Sequence, residues 1–223
     1  MDVSEVDFLT RFIVESDAIE RISNDYDLIQ EQIRCESHLD HVGAILMLRR
    51  TADHGGLLTE EVIKQVQRLI TIEQHLKGQP KLSGDQLGAW RIRDLAILDY
   101  SRVEGVRVPK KIGTHWRDLQ IEMNNLINDI WHWQKNHGPV DRADAKVKFI
   151  ARIHHRYERT HPFADGNGRS GRAIVYFLFR FAKLEPLVFT HQDKERNYYP
   201  CFESKDAELM EKYFLERTPA TRG

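Results

Sequence analysis

His161-Pro-Phe-Ala-Asp-Gly-Asn-Gly-Arg-Ser-Gly-Arg172, running straight into Ala173-Ile-Val-Tyr-Phe-Leu-Phe179, sets a polar, glycine-framed turn against a long apolar run. That run is too long for an ordinary strand, and the stretch Arg169 to Lys183 predicts a buried helix. The turn therefore sits at a helix N-terminus, where unpaired first-turn amides and the positive end of the macrodipole favour an anion. Gly166 and Gly168 allow consecutive N–H groups to face that anion, and Asn167 between them adds an amide donor. Arg169 and Arg172, three residues apart, project from one face of the first turn, and guanidinium forks match phosphate oxygens in pairs. Two cations at the positive end of a helix require a compensating anion. Asp165 is a hard oxygen ligand of the kind Mg²⁺ shares with substrate phosphates. His161, four residues upstream, is the proton acceptor of the cluster.

The segment resembles the signature of the Fic family, His-x-Phe-x-(Asp/Glu)-Gly-Asn-Gly-Arg-x-x-Arg, and matches its fixed positions at His161, Phe163, Asp165, Gly166, Asn167, Gly168, Arg169 and Arg172. The resemblance implies a mainly α, Fic-type helical domain with a short β-hairpin flap. It also implies transfer of AMP from ATP to a Tyr, Thr or Ser hydroxyl of a target protein. On that reading His161 is the catalytic base and Asp165 the Mg²⁺ ligand. Phe163, Gly166, Asn167, Gly168, Arg169 and Arg172 form the nucleotide-binding loop. Phe163 anchors the loop in the core, Arg169 holds the β-phosphate and Arg172 the γ-phosphate. The alternatives are transfer of phosphocholine or a phosphoryl group on the same fold, removal of AMP from a modified protein, and non-catalytic nucleotide sensing. The complete Asn-Gly-Arg-x-x-Arg set favours ATP held for attack at its α-phosphate, and binding alone does not need the base His161.

At the N-terminus Val6, Leu9, Ile13, Ser16 and Glu20 recur at spacings of three and four, so they share one helix face, which Phe8, Phe12 and Ile19 widen. Glu20 falls on the face predicted to be buried, where an unpaired carboxylate is costly, and needs a cationic partner. Ser16-Asp-Ala-Ile-Glu20-Arg21 resembles the inhibitory helix motif of the same family, (Ser/Thr)-x-x-x-Glu-(Gly/Asn). There the glutamate pairs with the second signature arginine, here Arg172, and blocks productive placement of the γ-phosphate. Arg21 departs from the motif, and its cation is expected to compete for the Glu20 carboxylate.

Elsewhere helical periodicity dominates, over Glu31 to Arg50, Thr59 to Leu76, Trp116 to Gln134 and Asp144 to Arg159, with Thr59 and Asp141 to Asp144 as N-cap candidates. Ile92 to Val108 alternates instead and predicts a two-stranded hairpin turning at Arg102 to Gly105. In similar proteins such a flap pairs with an extended segment of the target. Trp90-Arg91 resembles the aromatic-Arg pair that opens this region in the family. Tyr198 or Tyr199 is expected either to stack on the adenine or to pack in the core, and His154 and His155 to decorate the helix leading to His161.

The division expected is an inhibitory helix over 1–24, a Fic domain over 25–217 and a tail over 218–223. A chain of 223 residues with 41% hydrophobic content and net charge −1 supports one sizeable core and no global field for nucleic acid. Cys35 and Cys201, far apart, are expected as free thiols, and the absence of a long uncharged apolar stretch predicts a cytoplasmic protein without membrane spans.

Overall fold

Among residues 1–76, 82–95, 100–103, 106–109, 113–136 and 141–218, which the computed structural model describes, the chain forms eight α-helices and two short strands. The helices are α1 (Val3–Ile19), α2 (Tyr26–Arg34), α3 (Asp40–Asp53), α4 (Glu60–Leu76), α5 (Leu119–Asn136), α6 (Ala143–Thr160), α7 (Asn167–Phe181) and α8 (Glu208–Arg217). The apolar run after the loop is the centre of the molecule. Nearly every residue of α7 from Asn167 to Phe179 is buried, and the helix packs on α1, α3, α4 and α6. A helix apolar on all sides has to lie inside a bundle, and this one does.

α7 begins at Asn167, two residues before the predicted start, because Gly166 takes the left-handed conformation (φ 80°, ψ 8°) and serves as its N-cap. α6 enters the site from the other side and runs past α5, α7 and α8. It starts without a side-chain cap, although Asp141 to Asp144 were expected to supply one; Asp144 instead pairs with Arg142 Nε at 3.2 Å. Thr59 does cap α4, its Oγ1 accepting from Val62 N at 3.3 Å.

The amphipathic stretch Glu31 to Arg50 is two helices and not one. Glu36 adopts φ 52°, and Ser37 N closes back on Gln32 O at 2.9 Å, a left-handed C-terminal cap that ends α2. Periodicity continues across that break, which is why the pattern alone did not reveal it. Strands β1 (Tyr100–Val103) and β2 (Val106–Pro109) pair antiparallel with Ser101 opposite Val108 and Arg102 opposite Arg107. Both lie later than the predicted start of the hairpin; Leu95 is not in a strand, Arg102 and Val103 of the expected turn belong to β1, and Ile97 and residues 104–105 lie outside the described residues.

α1 is part of the core. Val6, Leu9, Phe12, Ile13 and Ile19 are all at most 5% exposed, and the Phe12 ring lies 5.5 Å from that of Tyr176 on α7. Burial of each such side chain contributes about 1.5–3 kcal/mol. At its outer end Glu5 accepts two hydrogen bonds from Arg49 of α3 at 2.8 and 2.9 Å. Phe12→Ala should therefore lower the unfolding free energy of the whole chain by about 3–5 kcal/mol, as read from the urea midpoint. A shift below about 1 kcal/mol would mean that α1 is an appendage.

Candidate active site

His161 ends α6 in a left-handed conformation, φ 51° and ψ 62°. Pro162 follows, and a residue before proline is pushed out of the right-handed helical region, so the chain must turn here. A non-glycine residue at positive φ is strained unless its surroundings hold it. Arg91, 6% exposed, supplies the hold: its Nε donates to His161 O at 2.8 Å and its backbone N to Pro162 O at 2.9 Å. The Arg91 guanidinium also donates to the carbonyls of Arg93 and Thr114. His161 Nδ1 lies 3.3 Å from the Glu158 carbonyl. A carbonyl only accepts, so Nδ1 carries the proton and Nε2 is the basic nitrogen. Burial pushes the imidazole down to about 4, opposed by the Glu158 carbonyl, and Arg91 pushes it further the same way. The ring is thus neutral near pH 7 and ready to accept a proton.

The loop that follows is held by its own motif residues. Asn167 bonds back onto the loop with both ends of its amide. Its Oδ1 accepts from Phe163 N at 2.8 Å and its Nδ2 donates to Phe163 O at 2.9 Å, closing the turn upon itself. Phe163 is fully buried against Trp90, ring centroids 4.8 Å apart, so it offers no surface to a nucleotide. Gln67 of α4 clamps the other side, donating to Asp165 O at 3.1 Å while accepting from Gly88 N at 2.6 Å. A Cβ on Gly166 would come within 2.7 Å of the Thr71 methyl, so glycine is required there by space as well as by φ. Asp165 uses Oδ1 to accept from Gly166 N at 2.7 Å. Its carboxylate has lone pairs beyond that bond, and one hard oxygen donor at the lip of an anion-binding turn fits Mg²⁺ shared with phosphates. No group of three or more His, Cys, Asp or Glu side chains among the described residues is arranged to hold a metal by itself.

Both arginines are buried, Arg169 at 4% and Arg172 at 1% exposed. Arg169 Nη1 donates to Ile70 O at 3.2 Å. Arg172 meets the C-terminal turn of α1: Nε donates to Ser16 Oγ, and Nη2 to both Ser16 O and Glu20 Oε1, each at 2.9 Å. Glu20 keeps 35% of its side-chain surface while Arg172 keeps 1%. The carboxylate lies over Gly168, where any Cβ would collide with Glu20 Oε1 and come within 3.1 Å of Arg172 Nη1. Although its burial opposes the shift, Arg172 holds Glu20 below its usual range. Arg21 is exposed and adopts φ 62°. The left-handed conformation after the helix end explains why glycine or asparagine suits that position, and the Glu20 carboxylate pairs with Arg172, not with its neighbour.

Three groups were not foreseen in these roles. Glu158, one turn before His161, has its Oε1 buried without a hydrogen bond against Gly171, where a Cβ would overlap it. Burial pushes its carboxyl up to about 8; the Arg172 charge opposes this and Glu20 adds to it. His154 and His155 are buried rather than decorative: His154 Nε2 lies 2.7 Å from Tyr198 Oη and His155 Nε2 3.2 Å from Ser204 O. Tyr198, 2% exposed, packs among Phe189, Phe202 and Tyr213, while Tyr199 is 38% exposed. Tyr199 alone of the two is available to a base. A cleft of about 640 Å³ is bounded by Gly113, Arg159, Phe202 and Thr160, the residue before His161.

Asn167→Ala should destabilise the chain by about 1–3 kcal/mol, because it leaves the Phe163 N–H and C=O unpaired in a buried turn. Chemical denaturation reads this directly, and an unchanged midpoint would show that the amide does not hold the loop.

The family model described as "Fic/DOC family" matches residues 57–179. A protein adenylyltransferase Fic of Aedes aegypti is 35% identical over 52 residues, 23% of this chain and 10% of that protein. A probable protein adenylyltransferase of Aquifex aeolicus is 33% identical over 70 residues, 31% of this chain and 21% of that protein. The chain thus matches about a tenth of the first relative's length and about a fifth of the second's. In solved structures, a Fic domain containing signaling protein of Bacteroides thetaiotaomicron aligns with a TM-score of 0.66 at 20% identity, covering 89% of this chain and 72% of that one. Fic-1 of C. elegans aligns with a TM-score of 0.62 at 14% identity, covering 97% and 64%. These structural likenesses concern the fold. With its mainly helical architecture, its loop geometry and a family model that covers more than half its length, the chain belongs to the Fic/DOC family.

Proposed function

We propose that this chain transfers AMP from ATP to a hydroxyl side chain of a target protein, and that α1 restrains the reaction through Glu20. The observation that carries the proposal is the pairing of a neutral imidazole, its Nε2 left basic, with a helix head that presents two buried guanidiniums. Binding alone would not need the first. In the reaction His161 Nε2 takes the hydroxyl proton, the oxygen attacks the α-phosphorus, and the bond to the β-phosphate breaks so that pyrophosphate leaves. The first-turn amides of α7 face the developing charge at no reorganisation cost, and Arg169 and Arg172 hold the β- and γ-phosphates. Asp165 would hold Mg²⁺, which when bound neutralises phosphate charge. Gly166 and Gly168 let the backbone close on the triphosphate.

The nucleoside lies against Tyr199, and the target approaches through the cleft beside Thr160. An extended target segment adds to an outer edge of the β1–β2 ribbon, whose two strands each have one partner within it. Glu20 occupies Arg172 and the space above Gly168, so ATP that binds alongside it is displaced from in-line geometry.

Incubating the wild type, Glu20→Gly and His161→Ala with ATP and weighing intact protein and lysate targets tests both parts. Glu20→Gly should raise AMP incorporation about tenfold or more, a shift of ~1.4 kcal/mol, and His161→Ala in that background should reduce it by about 10²–10⁴. Label arriving from the γ-phosphate in place of AMP would remove the reading; unchanged turnover in Glu20→Gly would remove the restraint.

The pH profile follows from the same site. Because His161 is shifted down to about 4, its basic form is complete at neutral pH and is lost only as the pH falls toward that value. Removing Glu20, whose charge shifts the ring upward, moves the limb lower still. The kcat of Glu20→Gly should therefore show no acid limb from His161 between about pH 6 and 8; an acid limb with an apparent midpoint near ~6.5 would contradict the burial of the ring.

A further inference from the structure

Glu20 meets only one of the two guanidiniums at the head of α7. The other is met by a residue that the inhibitory pattern leaves open. Asp17 Oδ1 lies 4.0 Å from Arg169 Nη1, and both side chains are 5% exposed. Asp17 and Glu20 stand three residues apart on α1, and Arg169 and Arg172 three apart on α7, so each pair shares a helix face. Two carboxylates are thus set against two guanidiniums in the same register. The fields cross as well as pair: against the opposing effect of burial, His41 first and then Arg169 and Arg172 hold Asp17 below its usual range, and Arg172 and then Arg169 do the same for Glu20.

Asp17 has a second connection. Its Oδ1 accepts from His41 Nδ1 of α3 at 3.0 Å, and its Oδ2 accepts from the Asn24 amide. An anchoring role through His41 and a charge role toward Arg169 therefore rest on the same oxygen and can be separated by mutation.

We propose that the C-terminal turn of α1 supplies the complete counter-anion of the phosphate cradle: Asp17 competes with a phosphate at Arg169 as Glu20 does at Arg172. This rests on reading the loop as the ATP site. Two buried cations facing two carboxylates leave little net attraction for a triphosphate, and removing Glu20 restores only half of it. Asp17 continues to oppose the phosphate at Arg169 in a Glu20→Gly variant, however active that variant is.

The test uses the full chain as Glu20→Gly, Glu20→Gly/Asp17→Asn and Glu20→Gly/His41→Ala. ATP and AMP binding are measured by calorimetry, and KM and kcat for AMP transfer alongside. Asp17→Asn keeps the shape and one acceptor for His41 and removes the charge; its NH2 replaces the oxygen that accepts from Asn24, whose own amide can turn to meet it. It should tighten ATP and lower KM for ATP by about fivefold with kcat within about twofold, and leave the affinity for AMP unchanged, since AMP lacks the phosphate that faces Arg169. His41→Ala should not tighten ATP, because it removes the anchor and leaves the charge. Should Asp17→Asn fail to fold by circular dichroism, Asp17→Ser takes its place. ATP affinity unchanged or weaker at neutral residue 17, equal tightening of AMP, or the same tightening in His41→Ala would overturn the proposal and leave Asp17 a structural anchor. If ATP tightens but none of the variants transfers AMP, the reaction proposed above fails and this inference stands. If none binds ATP, both fail.

Discussion

A guanidinium sealed from water must find acceptors or lose several kcal/mol, and the site is arranged around that requirement at Arg172. Its partners Ser16 and Glu20 both come from α1, more than 150 residues away in sequence. Glu158, on α6, adds a carboxyl whose proton is retained by burial, so it brings no full negative charge to the site near pH 7. Gly168 and Gly171 leave the volume in which Glu20 and Glu158 lie. Glycine within a helix costs roughly 0.5–1 kcal/mol against alanine, so these positions in α7 reflect what they admit.

Such an arrangement also limits how α1 can give way. Val6, Leu9, Phe12 and Ile13 lock its first three turns into the core, whereas Glu20 ends the helix and still touches water. Local opening requires few buried contacts, yet Ser16, Asp17 and Ile19 keep even the last turn buried, and it is the Glu20 side chain beyond it that reaches water. The helix is therefore a fixed wall whose yielding part is that side chain, and Lys194, donating to Ile19 O at 3.0 Å, ties the end of the helix to the segment that carries Tyr198 and Tyr199.

Much of this was readable from the sequence where the governing interactions are local. The helix after the loop and the apolar face of α1 follow from periodicity, and the partnership of Glu20 with Arg172 from the family resemblance, although the sealed charge of that pair is the guanidinium while Glu20 keeps 35% of its side-chain surface. What escaped depends on contacts across long separations. Gln67 reaches Asp165, and Arg91 reaches His161, across 98 and 70 residues, and a lone glutamine or arginine carries no periodic signal. The break between α2 and α3 was hidden because apolar spacing continues through it while Glu36 turns left-handed. Asn167 holds a second role that its position does not announce: an amide beside such a turn reads as a ligand donor, and only the geometry reveals that its Oδ1 and one of its two Nδ2 hydrogens also bond Phe163.

The closure of Asn167 upon Phe163 bears on how inactivating substitutions in such motifs are interpreted. Conservation of chemistry and conservation of shape leave the same mark on a mutational scan, since a collapsed turn silences an enzyme as thoroughly as a missing nucleophile. At this position the atoms that the amide touches already supply a cause of the first kind, so loss of turnover there maps the scaffold of the cradle before it maps the hand that performs the transfer.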